Sequence, residues 1–508
     1  MQFTNQQLQA IQLQDRHVIV IAGAGSGKTR VLVERFLYLL EQNPTWKLTD
    51  IVAITFTEKA AREMRDRIRI VVNERLQNAT DEIMRQRWQQ HQAALDAARI
   101  STIHSLCAQL LRANPVEARL DPNFAVIDEI QAQILIRDVV DQAVFEFLGS
   151  DADAANILLE YHTIRDIRRI LRNFISYTMA HQFESMLLKH RDAQTLFAYW
   201  QMLCEKINED ILTVLRQDQD FYQACYWVDH FHPEQLYGDK LWPAWEAIIK
   251  KREILFSEAT LNSEALYEIL EQWQSSQIIN LRGGSAKFWG SKENVEKAKQ
   301  YLRFIRESAQ YYCAQMIAPL NELDELSAYL TLAWAELILY AAELYSQVKE
   351  EQNVLDFDDL EYLTMNLLES HPTVAARYAD PVTGDFKHIM VDEFQDTNDA
   401  QRRIIYKLAG IGQPNSNGRL FVVGDPKQSI YAFRGADISV FGAVQSEIER
   451  HQGYIVSLNR SFRTHHNLIE NFNALFSRIF PPPHGPVADY MVQFEAMTAF
   501  RNSEQVHD

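Results

Sequence analysis

Short β-branched runs alternate with amphipathic stretches at both ends of this chain. Residues 17–21 (HVIVI) end in a glycine-rich turn, after which apolar positions recur at helical spacing from Thr29 to Gln42. That pattern predicts strand, loop, helix. A second run, Ile51 to Phe56, precedes a helix over about Glu58 to Leu76. Three more, Ile389 to Asp392, Leu420 to Gly424 and Tyr454 to Leu458, each stop at a loop or helix signal. Strands alternating with helices predict an α/β fold whose parallel sheet is covered on both faces.

Between residues 106 and 350 the strand signals fade and apolar residues keep to helical spacing. Seven of the nine tryptophans fall here, which gives the stretch aromatic mass for a core of its own. We read a large all-helical insertion over 106–350. It interrupts a first α/β domain made of 1–105 and 351–440. A second α/β unit is expected over 441–508, with PPPHGP (481–486) as a turn or linker. The length of 508 residues accommodates about three such domains.

Composition narrows the chemistry. Four isolated cysteines, Cys107, Cys204, Cys225 and Cys313, form no CxxC pair, which argues against zinc, iron–sulfur or disulfide frameworks and fits a reducing cytoplasm. MQFTNQQLQA has no basic, apolar leader. The most apolar stretch, Ala328 to Tyr345, carries Glu336 and Glu343 and reads as a buried helix, not a membrane span. The net charge of −18 supplies no global basic field, so contact with nucleic acid requires a local groove.

AGAGSGKT, from Ala22 through Gly23, Ala24, Gly25, Ser26, Gly27 and Lys28 to Thr29, follows a predicted strand and opens a helix. Glycines there let backbone N–H groups close on phosphate oxygens, and the helix N-terminus adds positive potential. Lys28 is expected on the β- and γ-phosphates of ATP and the Thr29 hydroxyl on Mg2+. IMVDEFQDT (389–397) ends a strand in two carboxylates. Asp392 is expected to hold the magnesium and Glu393 to polarise the attacking water; hydrolysis needs little more than such positioning and charge stabilisation.

P-loops alone do not choose among ATPases, kinases and GTPases, and no LSGGQ-like segment points to a transporter-type ATPase. DEFQD (392–396), VVGDPKQSIYAFRGAD (422–437) and TFTEKAAREMRDRI (55–68), extended by STIHSLC (101–107), LDFDDL (355–360) and LNRSFRT (458–464), together resemble the UvrD-like class of superfamily 1 DNA helicases. The resemblance implies RecA-like motor domains. It implies that Gln7 reads adenine, that Arg30 and Phe462 sandwich the base, with Phe462 where the family more often has tyrosine, and that Gln395 and Gln428 sense the γ-phosphate. Arg463 is placed like the arginine that reaches that phosphate from the second motor domain, where a planar cation suits spreading charge.

Single-strand binding needs stacking faces and phosphate contacts, and the resemblance places Phe56, Thr57, His104, Phe357, Tyr431, Phe433 and Arg434 in those roles. Structural alternatives stand beside them. Phe56 and Phe357 can be core, His104 a satisfied histidine, Tyr431 a coupling residue and Arg434 a salt-bridge partner. Outside the shared motifs, Arg165, Arg168, Arg169 and Arg172 make one helical stripe, either a contact for duplex DNA or a solvated face. The loop RGGSAKFWGSK (282–292) either touches nucleic acid or packs its aromatics inward.

The size of the insertion, with TIHSLC and DPNFAVIDEIQA (121–132), is similar to the AddA and RecB recombination helicase–nucleases, AddA more closely. That likeness implies a cytoplasmic bacterial translocase. It would move 3′ to 5′ and unwind duplex DNA ends in recombination and repair, alongside a second large subunit. No residue after 464 matches the family's later motifs. The chain is therefore expected to be an amino-terminal part that binds ATP weakly and unwinds poorly. A non-catalytic module that binds ATP and single-stranded DNA is the alternative, and an RNA helicase of the same superfamily a further one.

Overall fold

The computed structural model describes residues 2–150, 152–175, 177–231, 238–257, 261–412, 418–432, 436–480, 492 and 494–501. They divide into two compact units, one formed by residues 1–135 with 346–508 and the other by 136–345. Among the described residues, no helix is long and apolar enough to cross a membrane.

The first unit is built on a six-stranded sheet. Its strands are β1 (Val18–Ala22), β2 (Ile51–Thr55), β3 (Arg99–Thr102), β6 (His388–Val391), β7 (Leu420–Gly424) and β8 (Tyr454–Leu458), in the order β3-β2-β6-β7-β1-β8. Every neighbouring pair is parallel. Two short strands, β4 (Ala125–Val126) and β5 (Val354–Leu355), pair separately. So do β9 (Arg460–His465) and β10 (Thr498–Arg501).

Alternation along each strand fills a core on either face. Ile19, Ile54, Val391 and Val422 pack with α5 (Ile103–Ala113) and the helices Phe357–Ser370, Asp399–Ala409 and Ile438–Arg450. Val20, Ala53, Met390 and Val423 pack with α1 (Asn5–Gln12), α2 (Lys28–Gln42), α3 (Glu58–Gln77) and α4 (Glu82–Ala93). Burying both faces explains why the strands read as nearly continuous apolar runs. Parallel strands also bring all their C-terminal ends to one edge, where α/β sheets bind ligands. The P-loop, Phe56, His104, Asp392 and Asp425 all follow strand ends on that edge.

Two sequence boundaries move. β8, expected to open a second α/β unit from about 441, pairs in register with β1 from Val18↔Tyr454 to Ala22↔Leu458. The helix before it, Ile438–Arg450, buries Val440, Phe441 and Val444 in the first core. The short run YIVSL shows a strand but not its neighbour. At the other boundary, α5, placed in the insertion by the limit at 106, also belongs to the first core, and the compact helical unit begins at 136. β3 carries no clear signal in the sequence because it is short and two of its four residues are only half-buried.

In the second unit every described element is a helix. Its main core gathers Phe221, Trp245, Trp273 and Trp289. The loop at 282–292 turns inward, the quieter of its two alternatives: Trp289 is buried in that core, Phe288 packs on it, and the Ser285 N–H donates to Asp239 Oδ2 at 2.9 Å. In the arginine stripe, Arg168 pairs with Asp141 at 3.1 Å and Arg169 with Asp166 at 2.9 Å. Glu336 and Glu343 face solvent while Ala335, Leu337 and Ala341 are buried.

Buried histidines give the fold an acid limit. Burial, helped by His451 and Arg419, lowers the His17 pKa to about 4; burial, helped by Arg87, lowers that of His91 to about 4. His388, wholly enclosed and beside Arg35, is held well below its usual range. The unfolded chain takes up these protons near pH 6.5 and the folded chain only near 4, so stability falls as pH drops through that window. His91→Gln is expected to remove part of the loss, on the order of 2–3 kcal/mol by pH 4.5. Urea midpoints at pH 7 and 4.5 check this; an equal acid loss in both proteins contradicts it.

Candidate functional site

Between β1 and α2 the chain takes a path that side chains resist. Gly25 has φ 74° and Gly27 φ 86°, the left-handed region. A Cβ on Gly25 would lie 2.8 Å from Arg463 Cβ, and one on Gly27 3.0 Å from Gln7 Nε2. No side chain caps the N-terminus of α2, so its first N–H groups point into the loop. Ser26 Oγ is buried with no hydrogen-bond partner among the described residues.

Asp392 and Glu393 leave β6 directly opposite. Lys28 Nζ donates to Glu393 Oε2 at 2.7 Å across a sequence separation of 365 residues. Glu393 holds φ 51°, ψ 44°, a left-handed backbone that is costly for a residue with a Cβ and is typical of functional turns. Asp392 Oδ1 accepts the Glu393 N–H at 3.0 Å. Burial, then the neighbouring Glu393 charge, lifts the Asp392 pKa to about 6 against the opposing pull of Lys28. Asp396 is raised to about 6 by the same two causes in the same order. Carboxyls so short of positive charge fit a hard cation, and hydroxyl and carboxylate oxygens suit Mg2+.

A hydrogen-bonded chain leads onward. Gln395 Nε2 donates to Glu393 Oε2 at 3.0 Å, and Gln395 Oε1 accepts the Asp425 N–H at 3.0 Å. The buried Asp425 carboxylate takes Gln428 Nε2 at 2.6 Å and Lys427 Nζ at 3.2 Å. Nothing in the sequence singles out Asp425; its place between two glutamines is visible only in three dimensions.

The base-end residues are close to the loop but differently partnered from the sequence expectation. Gln7 is 2% exposed and already committed. Its Oε1 accepts the Thr4 N–H at 3.0 Å in a capping box for α1, and its Nε2 donates to Ser26 O at 2.9 Å. The Arg30 guanidinium lies 4.0 Å over the Phe3 ring, and Phe462 sits 5.1 Å from Phe500. Arg30 and Phe462, expected to sandwich one base, thus each have an aromatic neighbour of their own. The Phe462 N–H donates to Gly25 O at 2.9 Å, which seats β9 and its exposed Arg463 beside the P-loop.

The expected single-strand residues form two aromatic pairs. Phe56 and Tyr431 lie 4.8 Å apart, and His104 and Phe357 4.6 Å apart. Neither phenylalanine is core: Phe56 is half-buried and Phe357 is 42% exposed. Thr57 spends its hydroxyl on the Ala60 N–H as the cap of α3. Phe433 and Arg434 lie outside the described residues. His104 Nε2 meets Glu361 Oε1 at 2.8 Å. In LDFDDL, the aspartates build the helix that carries Phe357: Asp356 caps it, and the buried Lys349 pairs with Asp356 at 3.0 Å and Asp359 at 2.5 Å. Glu58 is another residue the sequence does not single out; its carboxylate joins Thr102 at 2.9 Å to Ser105 at 2.8 Å.

A parallel sheet with a P-loop at one strand end and an acidic pair at the next but one defines a P-loop α/β nucleotide-binding protein. The chain belongs to the UvrD/REP helicase N-terminal domain family, whose model matches residues 3–449. It is 26% identical to an ATP-dependent helicase/nuclease subunit of Ligilactobacillus salivarius over 96% of its own length and 39% of the relative's. The proteins of the same name from Natranaerobius thermophilus and Bacillus pumilus are each 26% identical to it, over 94% and 96% of this chain. The chain spans about two fifths of the length of these relatives.

Proposed function

We propose that this chain is the ATP-binding part of a motor that moves on single-stranded DNA, in a helicase acting on DNA ends in recombination and repair. The observation that carries the reading is the 2.7 Å contact between Lys28 and Glu393, which brings P-loop and acidic strand to one point. Lys28 and the open N-terminus of α2 would bind the triphosphate. Thr29 and Asp392 would hold Mg2+, which supplies charge neutralisation at the phosphates. Glu393 would take a proton from the attacking water, and Arg463 would add positive charge from β9. Gln7 would turn from its present partners to the adenine edge, with Arg30 and Phe462 flanking the base. Gln395 and Gln428 would carry the phosphate state along the chain through Asp425.

The strand would stack on the His104–Phe357 and Phe56–Tyr431 pairs, with Thr57, Phe433 and Arg434 along its path. Two partly exposed aromatic pairs at the C-terminal edge of the sheet support this reading. Travel from 3′ to 5′, a bacterial cytoplasmic setting and a second large subunit come from the family resemblance and the relatives' names. The domain reading that goes with it is an all-helical insertion in one RecA-like domain, with the start of a second one after Leu458.

Stacking contributes about 1–3 kcal/mol per base, so Phe357→Ala is expected to weaken binding of an oligo-dT strand by roughly 5- to 150-fold. Fluorescence anisotropy measures it, with a circular dichroism melt to verify the fold. Unchanged affinity removes the single-strand assignment at this pair. ATPase rates with and without DNA or RNA distinguish a DNA motor from a passive binding module and from an RNA motor.

A further inference from the structure

We propose that Glu361 is a positioning residue that makes the grip of the His104–Phe357 pair on an unpaired strand depend on the nucleotide at the Lys28 site. The inference rests on the reading of those two sites given above. Glu361 lies one helical turn after Phe357, on the same side of the helix Phe357–Ser370. That helix packs between α5, which carries His104, and the helix Asp399–Ala409, which follows the acidic strand.

Glu361 is buried, at 7% exposure, and its carboxylate meets three donors. Oε1 takes His104 Nε2 at 2.8 Å and Gln401 Nε2 at 2.6 Å, and Oε2 takes Asn398 Nδ2 at 2.9 Å. Burial works against its charge, but the bonds from His104, Asn398 and Gln401 outweigh burial and keep its pKa below the usual glutamate range. One ionised group thus binds the DNA-side histidine to two amides at the start of the following helix. Asn398 is also that helix's N-cap, its Oδ1 accepting the Gln401 N–H at 2.8 Å.

Asn398 stands five residues after Glu393, joined by the single turn Phe394–Asp396. When Lys28 trades Glu393 for a triphosphate, Glu393 and its partner Gln395 are the first groups to readjust. That turn hands the shift to Asn398 and Gln401, and Glu361 passes it to the ring of His104. Phe357 is fixed on the same helix, so the stacking surface offered to a base changes as His104 tilts against it. A glutamate that only stabilised the fold would alter folding and both affinities together, leaving their linkage intact.

The experiment measures the affinity of the full 508-residue chain for a fluorescein-labelled oligo-dT, with and without saturating Mg2+ and a non-hydrolysable ATP analogue. A 2-aminopurine base in a matching oligonucleotide reports stacking by its quenching. In the unaltered chain the nucleotide should change the DNA Kd by about fivefold or more. In Glu361→Gln the change should shrink below about twofold, while the nucleotide-free DNA Kd and the analogue's own Kd stay within about threefold of the unaltered chain's. Gln401→Ala, which removes one donor at a half-buried helix position, should give an intermediate change should the first variant fold poorly. An undiminished nucleotide effect in both variants overturns the inference and leaves the two-site reading standing. No nucleotide effect in the unaltered chain overturns it as well. Phe357→Ala binding as tightly as the unaltered chain instead removes the DNA-site reading, and this inference with it.

Discussion

Replacing Lys28 with alanine is expected to lower the affinity for Mg·ATP by about a hundredfold or more. Hydrogen bonds to charged groups contribute about 1.5–3 kcal/mol each, and an ammonium that reaches two phosphates makes at least two of them. The loss has a second source. Lys28 is the larger of the positive charges that oppose the rise in Asp392, it opposes that in Asp396 too, and it pairs with Glu393 at 2.7 Å. Without it three carboxyls share the pocket, and a polyanion meets their field uncompensated. Isothermal titration measures the effect. The thermal midpoint should fall only slightly, because the pair is partly open to solvent, at 14% and 35% side-chain exposure. ATP binding unchanged in this variant breaks the P-loop assignment.

Glu393→Gln is expected to separate binding from turnover. Removal of a general base costs about 10²- to 10⁴-fold in rate, so kcat should fall by that order in any preparation that turns over ATP. Binding should hold or tighten. Glutamine no longer competes with phosphate for the Lys28 ammonium, and its carbonyl can still accept from Gln395 Nε2, which now meets Glu393 Oε2 at 3.0 Å. A fall in kcat at unchanged KM is the signature of a group that acts on the reaction alone; a lower KM would add the release of Lys28 to the bound phosphates. Turnover within tenfold of the unaltered chain would assign the base elsewhere.

The sequence carries the parts of this fold that are written in short range. A β-branched run, glycines in a fixed pattern and an amphipathic stretch are local, and the P-loop, β1 and α2 lie within about a residue of where that pattern puts them. The acidic pair is legible for the same reason. What stays hidden depends on partners far along the chain. β8 reads as a strand, but only its pairing with β1 across more than 400 residues shows which sheet it completes. Glu361 looks like one more acid in an acidic helix until His104, 257 residues away, meets it.

Arg35 illustrates the same limit more sharply. It sits on α2 among apolar residues with no exposed surface, and burial lowers its pKa to about 9. Its guanidinium donates to Ala10 O at 2.7 Å at the end of α1 and lies 4.2 Å over the Phe421 ring. Sequence spacing places an arginine there on the apolar face and offers no reason for it. The structure supplies one: α1 is tied to the P-loop helix at its C-terminal end by Arg35 and to the P-loop at its N-terminal end by Gln7.

In the proposed function, Lys28 and the Asp392–Glu393 pair, far apart in the chain, serve one magnesium-bound triphosphate. A crystal of the chain grown with Mn2+ and a non-hydrolysable ATP analogue tests that most directly, because the anomalous signal of manganese locates the metal independently of any side chain. The expected result is one peak on Thr29 and Asp392, with Lys28 Nζ turned from Glu393 to the phosphates. A peak elsewhere, or a nucleotide bound with Lys28 still paired to Glu393, would contradict it.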